Sequence, residues 1–329
     1  MYQMGLALRY LNYKLLKKGP LFATYNVTFR CNSRCEYCNY WKASWPELGT
    51  DGAVTVIKRV ADSGAKMLDL SGGEPTLRND IGDLVVLSHD LGLFTTMNTN
   101  GLAMRSDMMN KFRAGLEAVT ISLDGPEEVH DRVRGILGGY KKALQSLKEY
   151  RKSGIRTGIS AVLSMQNRGK LHTMLSDVAD FADFVTVQPQ NPPTGIPPDP
   201  EDIRALKGLG SKLIVPQDYI QGINDYSVNK FEKVCDAINL YFSVDPEGYL
   251  NPCPQRSDIK IGKLTEQSYR KLVENNYPAA MERVSACTGC YLACTVGLSM
   301  QLRQPVISSA KMALHTYLNS GKSSPKIFA

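Results

Sequence analysis

The sequence predicts an α/β fold in the form of an open (β/α)6 partial TIM barrel, and three observations carry that expectation. Six short β-rich runs recur between residues 21 and 190. Between them the apolar spacing changes to helical period. A segment with five prolines in ten residues, "NPPTGIPPDP" at 191–200, then ends the alternation.

The runs are "LFATYNVTF", "KMLDLSGG", "LFTTMNTNG", "EAVTISLDG", "RTGISAVLSM" and "DFVTVQPQ". One intervening helix carries Val54, Ile57, Val60 and Ala61, and another carries Leu137, Tyr140, Leu144, Leu147 and Tyr150. Strands that alternate with helices pair in parallel through right-handed crossovers. In such barrels the chemistry sits at the C-terminal ends of the strands. The proline-rich segment favours an extended connector and a domain boundary. Helical residues follow to about 232, and then "INLYFSVDPEGYLNPCP" reads as a hairpin turning at Pro246–Gly248. The expected division is an N-terminal helix over 1–20, the barrel over 21–190, a connector with helices over 191–232, a small domain over 233–297 and a tail over 298–329.

Of the 329 residues, 43% are hydrophobic and 22% charged, ordinary values for a globular protein. The start lacks the charged and apolar regions of a secretory signal, and no run approaches the length of a membrane span. The expected location is therefore the cytoplasm, where disulfides are rare. Eight cysteines in such a chain read as metal ligands or reactive thiols. They form two groups: Cys31, Cys35 and Cys38, then Cys235, Cys253, Cys287, Cys290 and Cys294.

The first group lies in "CNSRCEYC". Zinc would need a fourth ligand, and the nearest histidine is His89, beyond a strand and two helices. Iron–sulfur ligation suits closely spaced cysteines better. A 4Fe–4S cube held at three corners keeps one iron open for a ligand that is not protein.

With Tyr37 as its aromatic residue, C-x3-C-x-aromatic-C resembles the signature of the radical S-adenosylmethionine (SAM) superfamily. The resemblance implies that the amino and carboxylate groups of SAM occupy the open iron. Reduction then releases a 5′-deoxyadenosyl radical that abstracts hydrogen from an unactivated C–H bond. "SGGEP" resembles the family's glycine-rich motif, which implies SAM contacts at Gly72, Gly73, Glu74 and Pro75, with the Glu74 carboxylate on the methionine ammonium. "SLDGPEEVHDRVRG" resembles the fourth-strand motif, which implies Ser122 and Arg134 as partners of the SAM carboxylate. Asn98 and Asn100 are candidates for the ribose, and Val162 and Gln188 for the adenine. Taken alone, these residues also read as a Gly-Gly turn, a turn hydroxyl and a surface charge.

The second group reads C-x12-G-x4-C, from Cys235 through Gly248 to Cys253, followed by "CTGCYLAC". It resembles the SPASM/twitch extension that holds auxiliary clusters. By that resemblance Cys235, Cys253, Cys287 and Cys290 hold a second 4Fe–4S cluster. Cys294 departs from the pattern, as a replacement ligand, a buried inert cysteine or a free catalytic thiol near the substrate. A zinc ribbon is the rival reading of this group.

Net charge of +7 leaves nucleic acid, anionic lipid and acidic substrates open, but no RNA-binding module is recognisable and no nucleic acid is expected. Met4, Leu8, Leu11 and Leu15 form a helical apolar stripe among Arg9, Lys14, Lys17 and Lys18, and the tail is again basic. Interfacial helices combine these features, although two helices capping the open barrel would share them. The expected substrate is a membrane-lipid hydrocarbon chain met at the inner face of the cell membrane, with a peptide or protein as the alternative. A low-potential electron donor is the implied partner.

Overall fold

The computed structural model describes residues 19–42 and 44–304. Nine strands form one sheet: β1 (Phe22–Thr28), β2 (Met67–Gly72), β3 (Phe94–Thr99), β4 (Ala118–Ser122), β5 (Arg156–Leu163), β6 (Phe184–Pro189), β7 (Tyr241–Val244), β8 (Tyr249–Asn251) and β9 (Gly262–Lys263). Their order is β6-β5-β4-β3-β2-β1-β7-β8-β9. The first six pair in parallel with their sequence neighbours. Because β6 and β9 lie at opposite ends of that order, the sheet stays open, as the alternating pattern predicts.

The helices over the first half are α1 (Thr50–Asp62), α2 (Ile81–Asp90), α3 (Met109–Gly115), α4 (Glu127–Arg134), α5 (Gly139–Lys152) and α6 (Leu171–Val178). Strand residues alternate between two faces. Tyr25, Leu68, Leu70, Met97, Val119, Ile121 and Ile159 share one buried apolar core with Val56 and Ile57 of α1, Leu84 of α2 and Leu147 of α5. The opposite face carries Thr24, Asn26, Asp69, Ser71, Thr96, Asn98, Thr120 and Ser122, with Thr24, Asp69 and Thr96 in one register row. The barrel therefore has an apolar outer core and a polar inner face.

Leu137 does not join the helix that its spacing suggests and is 94% exposed. The Asp131 carboxylate accepts from the Gly138 and Tyr140 N–H groups at 2.6 and 2.8 Å, and Gly138 is left-handed with φ of 74°. That turn starts α5 at Gly139, two residues later than the apolar pattern implies.

Beyond the proline-rich segment come α7 (Pro200–Gly208) and α8 (Gln217–Ser227), and later α9 (Tyr269–Ser285) and α10 (Leu298–Arg303). The expected hairpin joins β7 to β8 antiparallel. Its turn is held by Asp245, whose carboxylate accepts from the Glu247 and Tyr249 N–H groups, and by left-handed Gly248. β7 also pairs in parallel with β1, Phe22 against Tyr241. The hairpin thus extends the barrel sheet past β1. The apolar stripe of residues 1–18 and the basic tail from 305 onward lie outside the described residues. Among the described residues no helix is long and apolar enough to cross a membrane.

The join between β1 and β2 positions everything at the barrel mouth. Gly73 N–H donates to Thr28 O and Glu74 N–H to Arg30 O, both at 2.8 Å. A Cβ on Gly72, whose φ is +123°, would stand 2.1 Å from Thr28 O, and one on Gly73 would stand 2.3 Å from Arg30 O. Only glycine lets the two chains lie this close. Gly73→Ala should therefore cost more than about 3 kcal/mol, because the obstacle is backbone and cannot rotate away. Gly92, left-handed but open to space, should cost only about 1 kcal/mol as Ala. Denaturant unfolding of the two variants checks the contrast.

Candidate functional site

Cys31, Cys35 and Cys38 follow the end of β1 in an irregular loop. Irregular backbone needs partners for its polar groups, and three other segments supply them. Arg34 N–H donates to Arg134 O at 2.9 Å and Glu36 N–H to Val133 O at 3.2 Å. Asn100, just past β3, donates through Nδ2 to Asn32 Oδ1 at 2.7 Å and Ser33 Oγ at 3.1 Å, with Cys31 Sγ at 3.8 Å. Trp41 Nε1 donates to Cys35 O at 3.1 Å. Burial pushes the Cys31 thiol up and the Cys35 thiol up to about 11, and neighbouring thiolates of the loop add to both. Cys31 and Cys35, which disfavour free thiolates at this site, suit a cationic metal centre, which removes that penalty.

One carboxylate organises the surroundings. Asp124, fully buried just past β4, accepts through Oδ2 from Tyr37 Oη at 2.8 Å and from Arg134 Nε at 2.7 Å. Its Oδ1 accepts from the Val162 N–H at 2.9 Å, and its backbone carbonyl accepts from Asn167 Nδ2 at 2.7 Å. The cysteine loop, α4 and β5 are thus tied to one side chain. Burial alone would raise the Asp124 pKa, but the Arg134 charge and these hydrogen bonds hold it below the usual carboxylate value. The guanidinium of Arg134 also lies 5.7 Å from the Tyr37 ring centroid. Among the described residues its two terminal nitrogens make no hydrogen bond, so both remain able to take an anion.

Several expected SAM contacts are otherwise engaged. Glu74 is fully buried and accepts four hydrogen bonds, from Thr76 N–H and Oγ1, Thr99 Oγ1 and Asn100 N–H. Three of these bonds fall on Oε1 and one on Oε2, so Glu74 braces β2 against β3 while Oε2 keeps an acceptor position open. Asn100 holds the cysteine loop, as described, and also accepts from Leu102 N–H through Oδ1. Asn98 donates to Asp69 Oδ2 at 2.6 Å. The ribose expectation for both asparagines meets these prior bonds. Gly72, Gly73 and Pro75 line the turn after β2, and Ser122 ends β4 opposite Ser160. Val162 pairs with Gln188 in the last rows of β5 and β6.

The C-terminal cysteines gather beyond β7. Cys235 Sγ lies 3.5 Å from Tyr241 Oη. Burial raises the Cys253 and Cys290 thiols, and charge on Cys235 acts on both. Cys287 differs: burial pushes it up, but the Gly289 N–H and the Arg256 guanidinium outweigh that and lower it. Lys233 Nζ braces the Cys287 segment through the carbonyls of Val284 and Cys287 at 2.7 and 2.8 Å. The backbone of Cys294 is open to solvent, but its thiol is enclosed, and that desolvation, with charge on Asp69 and Cys290, pushes it up to about 12. The thiol is within electrostatic reach of both Cys290 and Asp69. Among the described residues no three His, Cys, Asp or Glu side chains converge to hold one metal ion. A cube gives each thiolate its own iron, so its ligands stand apart.

Sequence reasoning passed over Asp124, Asp69, Asn167 and the Thr76–Thr99 pair. Asp124 had a signal, standing in "SLDG" within the quoted motif. Asn167 stands three residues after Ser164 in a capping box, but its bonds to the Asp124 and Val162 carbonyls, 43 and 5 residues away, left no trace in the sequence.

An open parallel barrel bearing a three-cysteine loop at its C-terminal edge is the class of protein that fold and site define. Residues 25–178 match the Radical SAM superfamily. It is 34% identical over 155 residues to Fe-coproporphyrin III synthase of Methanosarcina barkeri, covering 46% of this chain and 38% of that protein. It is 34% identical over 167 residues to PqqA peptide cyclase of Bradyrhizobium diazoefficiens, covering 49% and 44%. Sporulation killing factor maturation protein SkfB of Bacillus subtilis is 25% identical over 272 residues, covering 76% and 63%. The matches thus span less than two thirds of these relatives' lengths. Among solved structures, SuiB of Streptococcus suis bound to precursor peptide SuiA superposes with a TM-score of 0.57 at 14% identity, covering 80% of this chain and 67% of that one. Native anSMEcpe with bound AdoMet superposes with a TM-score of 0.61 at 17% identity, covering 92% and 100%. These likenesses show the fold.

Two outcomes test the electrostatics. Asp124→Ala should destabilise the protein by roughly 3–5 kcal/mol, because it strands a buried guanidinium, whereas Tyr37→Phe should cost only about 1 kcal/mol. Chemical denaturation at neutral pH separates them. Burial raises the Asp69 pKa to about 6, against hydrogen bonds from Thr96 and Asn98 that lower it. A raised carboxylate pKa favours the protonated folded state, so its stabilisation is present at low pH and lost as pH rises through about 6. Relative to Asp69→Asn, the wild-type chain should lose stability between pH 4.5 and 7, and parallel pH–stability curves would refute this.

Proposed function

We propose that this protein binds a 4Fe–4S cluster through Cys31, Cys35 and Cys38, binds SAM beside it, and modifies a peptide substrate by radical chemistry. The supporting observation is the three-thiol loop lashed by Tyr37 and Asp124 to an arginine with free donors. When bound, a reduced cluster supplies the electron that cleaves SAM to methionine and a 5′-deoxyadenosyl radical.

The chain's own residues do the rest. The terminal nitrogens of Arg134 take a carboxylate, held in orientation by Asp124. Gly72 and Gly73 present backbone where a side chain would block approach. Ser122, Val162 and Gln188 rim the same mouth at the ends of β4, β5 and β6. Glu74 keeps β2 and β3 in register beneath it. The buried inner face limits water around a reactive intermediate.

A peptide is favoured over a lipid chain by the polar inner face, which offers hydrogen-bonding groups and little apolar wall. Several relatives and neighbours are named for peptides: PqqA peptide cyclase, the SkfB maturation protein and SuiB with its precursor peptide. The lipid reading rests on terminal stripes outside the described residues. Cys235, Cys253, Cys287 and Cys290 are the proposed ligands of one auxiliary 4Fe–4S cluster, brought together by β7, the hairpin and the segment after α9.

Replacing Cys31, Cys35 and Cys38 together by Ala should remove about four irons per chain and abolish 5′-deoxyadenosine release, while the C-terminal set keeps its iron and sulfide. Iron and sulfide counts with Mössbauer spectroscopy check both statements. Continued SAM cleavage refutes the first, and zinc in the residual site refutes the second.

A further inference from the structure

Asp69 stands in the middle of β2 on the inner face of the barrel, in register with Thr24 of β1 and Thr96 of β3. It is 7% exposed. Thr96 Oγ1 donates to its Oδ1 at 2.7 Å and Asn98 Nδ2 to its Oδ2 at 2.6 Å. An amide N–H can only donate, so the oxygen facing Asn98 serves as an acceptor, and each carboxylate oxygen keeps a further lone pair.

A buried carboxylate is normally paired with a cation, because two neutral hydrogen bonds do not replace the hydration it loses. Among the described residues Asp69 has no such partner. The buried arginines of the barrel serve elsewhere: Arg78 pairs with Asp80 and Arg134 with Asp124. Arg156, on β5, lies over the Phe184 ring, 5.0 Å from its centroid. Cys294, the thiol near Asp69, supplies no positive charge. The other buried acids of the barrel contrast with it: Asp124 has Arg134, and Glu74 has four donors. Asp69 is the least satisfied of the three, with two donors, a further acceptor position on each oxygen and no cation, on the inner face where the proposed substrate lies.

We propose that Asp69 is a specificity-determining carboxylate, which takes a lysine side chain, an arginine side chain or the amino terminus of the peptide substrate; this rests on the peptide reading of the site. Thr96 and Asn98 hold the carboxylate in a fixed orientation, so an incoming ammonium or guanidinium group meets a preformed acceptor. Binding restores charge balance to the inner face and leaves Asp124 and its arginine undisturbed. A cationic SAM sulfonium is the other source of the same charge, and the test separates the two.

The experiment selects randomised displayed peptides on the immobilised, iron-loaded protein with SAM present, using wild type and Asp69→Asn in parallel. The asparagine keeps both neighbours, accepting from Asn98 through Oδ1 and donating to Thr96 through Nδ2, so the barrel should persist with a Tm at neutral pH no lower than that of the wild type. The wild-type pool should be enriched in Lys and Arg by about tenfold relative to the Asp69→Asn pool. Equal enrichment in both pools, or a wild-type pool that converges on uncharged peptides, overturns the assignment to Asp69. Convergence on no peptide at all overturns the peptide reading and the assignment with it. In the second arm, SAM and S-adenosylhomocysteine, which lacks the sulfonium charge, are titrated against both proteins. The preference for SAM should be the same in both. Its loss in Asp69→Asn assigns the carboxylate to the cofactor and overturns the proposal.

Discussion

The buried contact between Asp124 and Arg134 is the constraint on which the mouth of the barrel depends. An ionised carboxylate and a guanidinium taken out of water are costly apart and tolerable together only with further hydrogen bonds. Here the further bonds come from Tyr37 of the cysteine loop and the Val162 N–H of β5. The electrostatic need of one buried pair therefore draws together three segments far apart in sequence. The thiol loop has no regular secondary structure, and it borrows its order from this pair and from Asn100.

A second constraint is steric. The β1 and β2 ends approach closely because Gly72 and Gly73 lack a Cβ. Glu74 then turns inward and gathers donors from the turn after β2 and the end of β3. The same short motif thus supplies close approach, a bridging carboxylate and, through Pro75, the first residue of the turn that follows. Its role in the folded chain is largely to set geometry. Among the described residues the terminal nitrogens of Arg134 make no hydrogen bond, so they stay open to a ligand at this edge.

The C-terminal third adds to the barrel instead of standing apart from it. β7 pairs with β1, so residues near Cys235 and Cys253 are carried on the same sheet that leads into Cys31. Tyr291, between Cys290 and Cys294, stacks on Tyr219 and Tyr226 of α8 with ring centroids 4.6 and 5.3 Å apart. Aromatic contacts of this kind contribute beyond their buried area. They hold the last cysteines against α8 and leave Cys294 beside the inner face.

The sequence by itself determined the six barrel strands, the open parallel class, the two cysteine groups and the hairpin turn at Pro246–Gly248. Each of these is written in local spacing: period two against period 3.6, C-x3-C-x2-C, a Pro-Glu-Gly turn. The tertiary structure alone decided how buried polar groups are satisfied. Glu74 and Asn100, read from their motif positions as ligand contacts, also bond Thr76, Thr99 and the cysteine loop, partners up to 69 residues away. Asp124 emerged as the hub for the same reason, since Tyr37 lies 87 residues from it and Val162 lies 38. A hydrogen bond across the sheet leaves no periodic trace in the chain, because it depends on which strands become neighbours and in what register. Leu137 shows the local limit of the same rule: a helical spacing was present, but the Asp131 carboxylate and a left-handed glycine delayed the start of the helix by two residues.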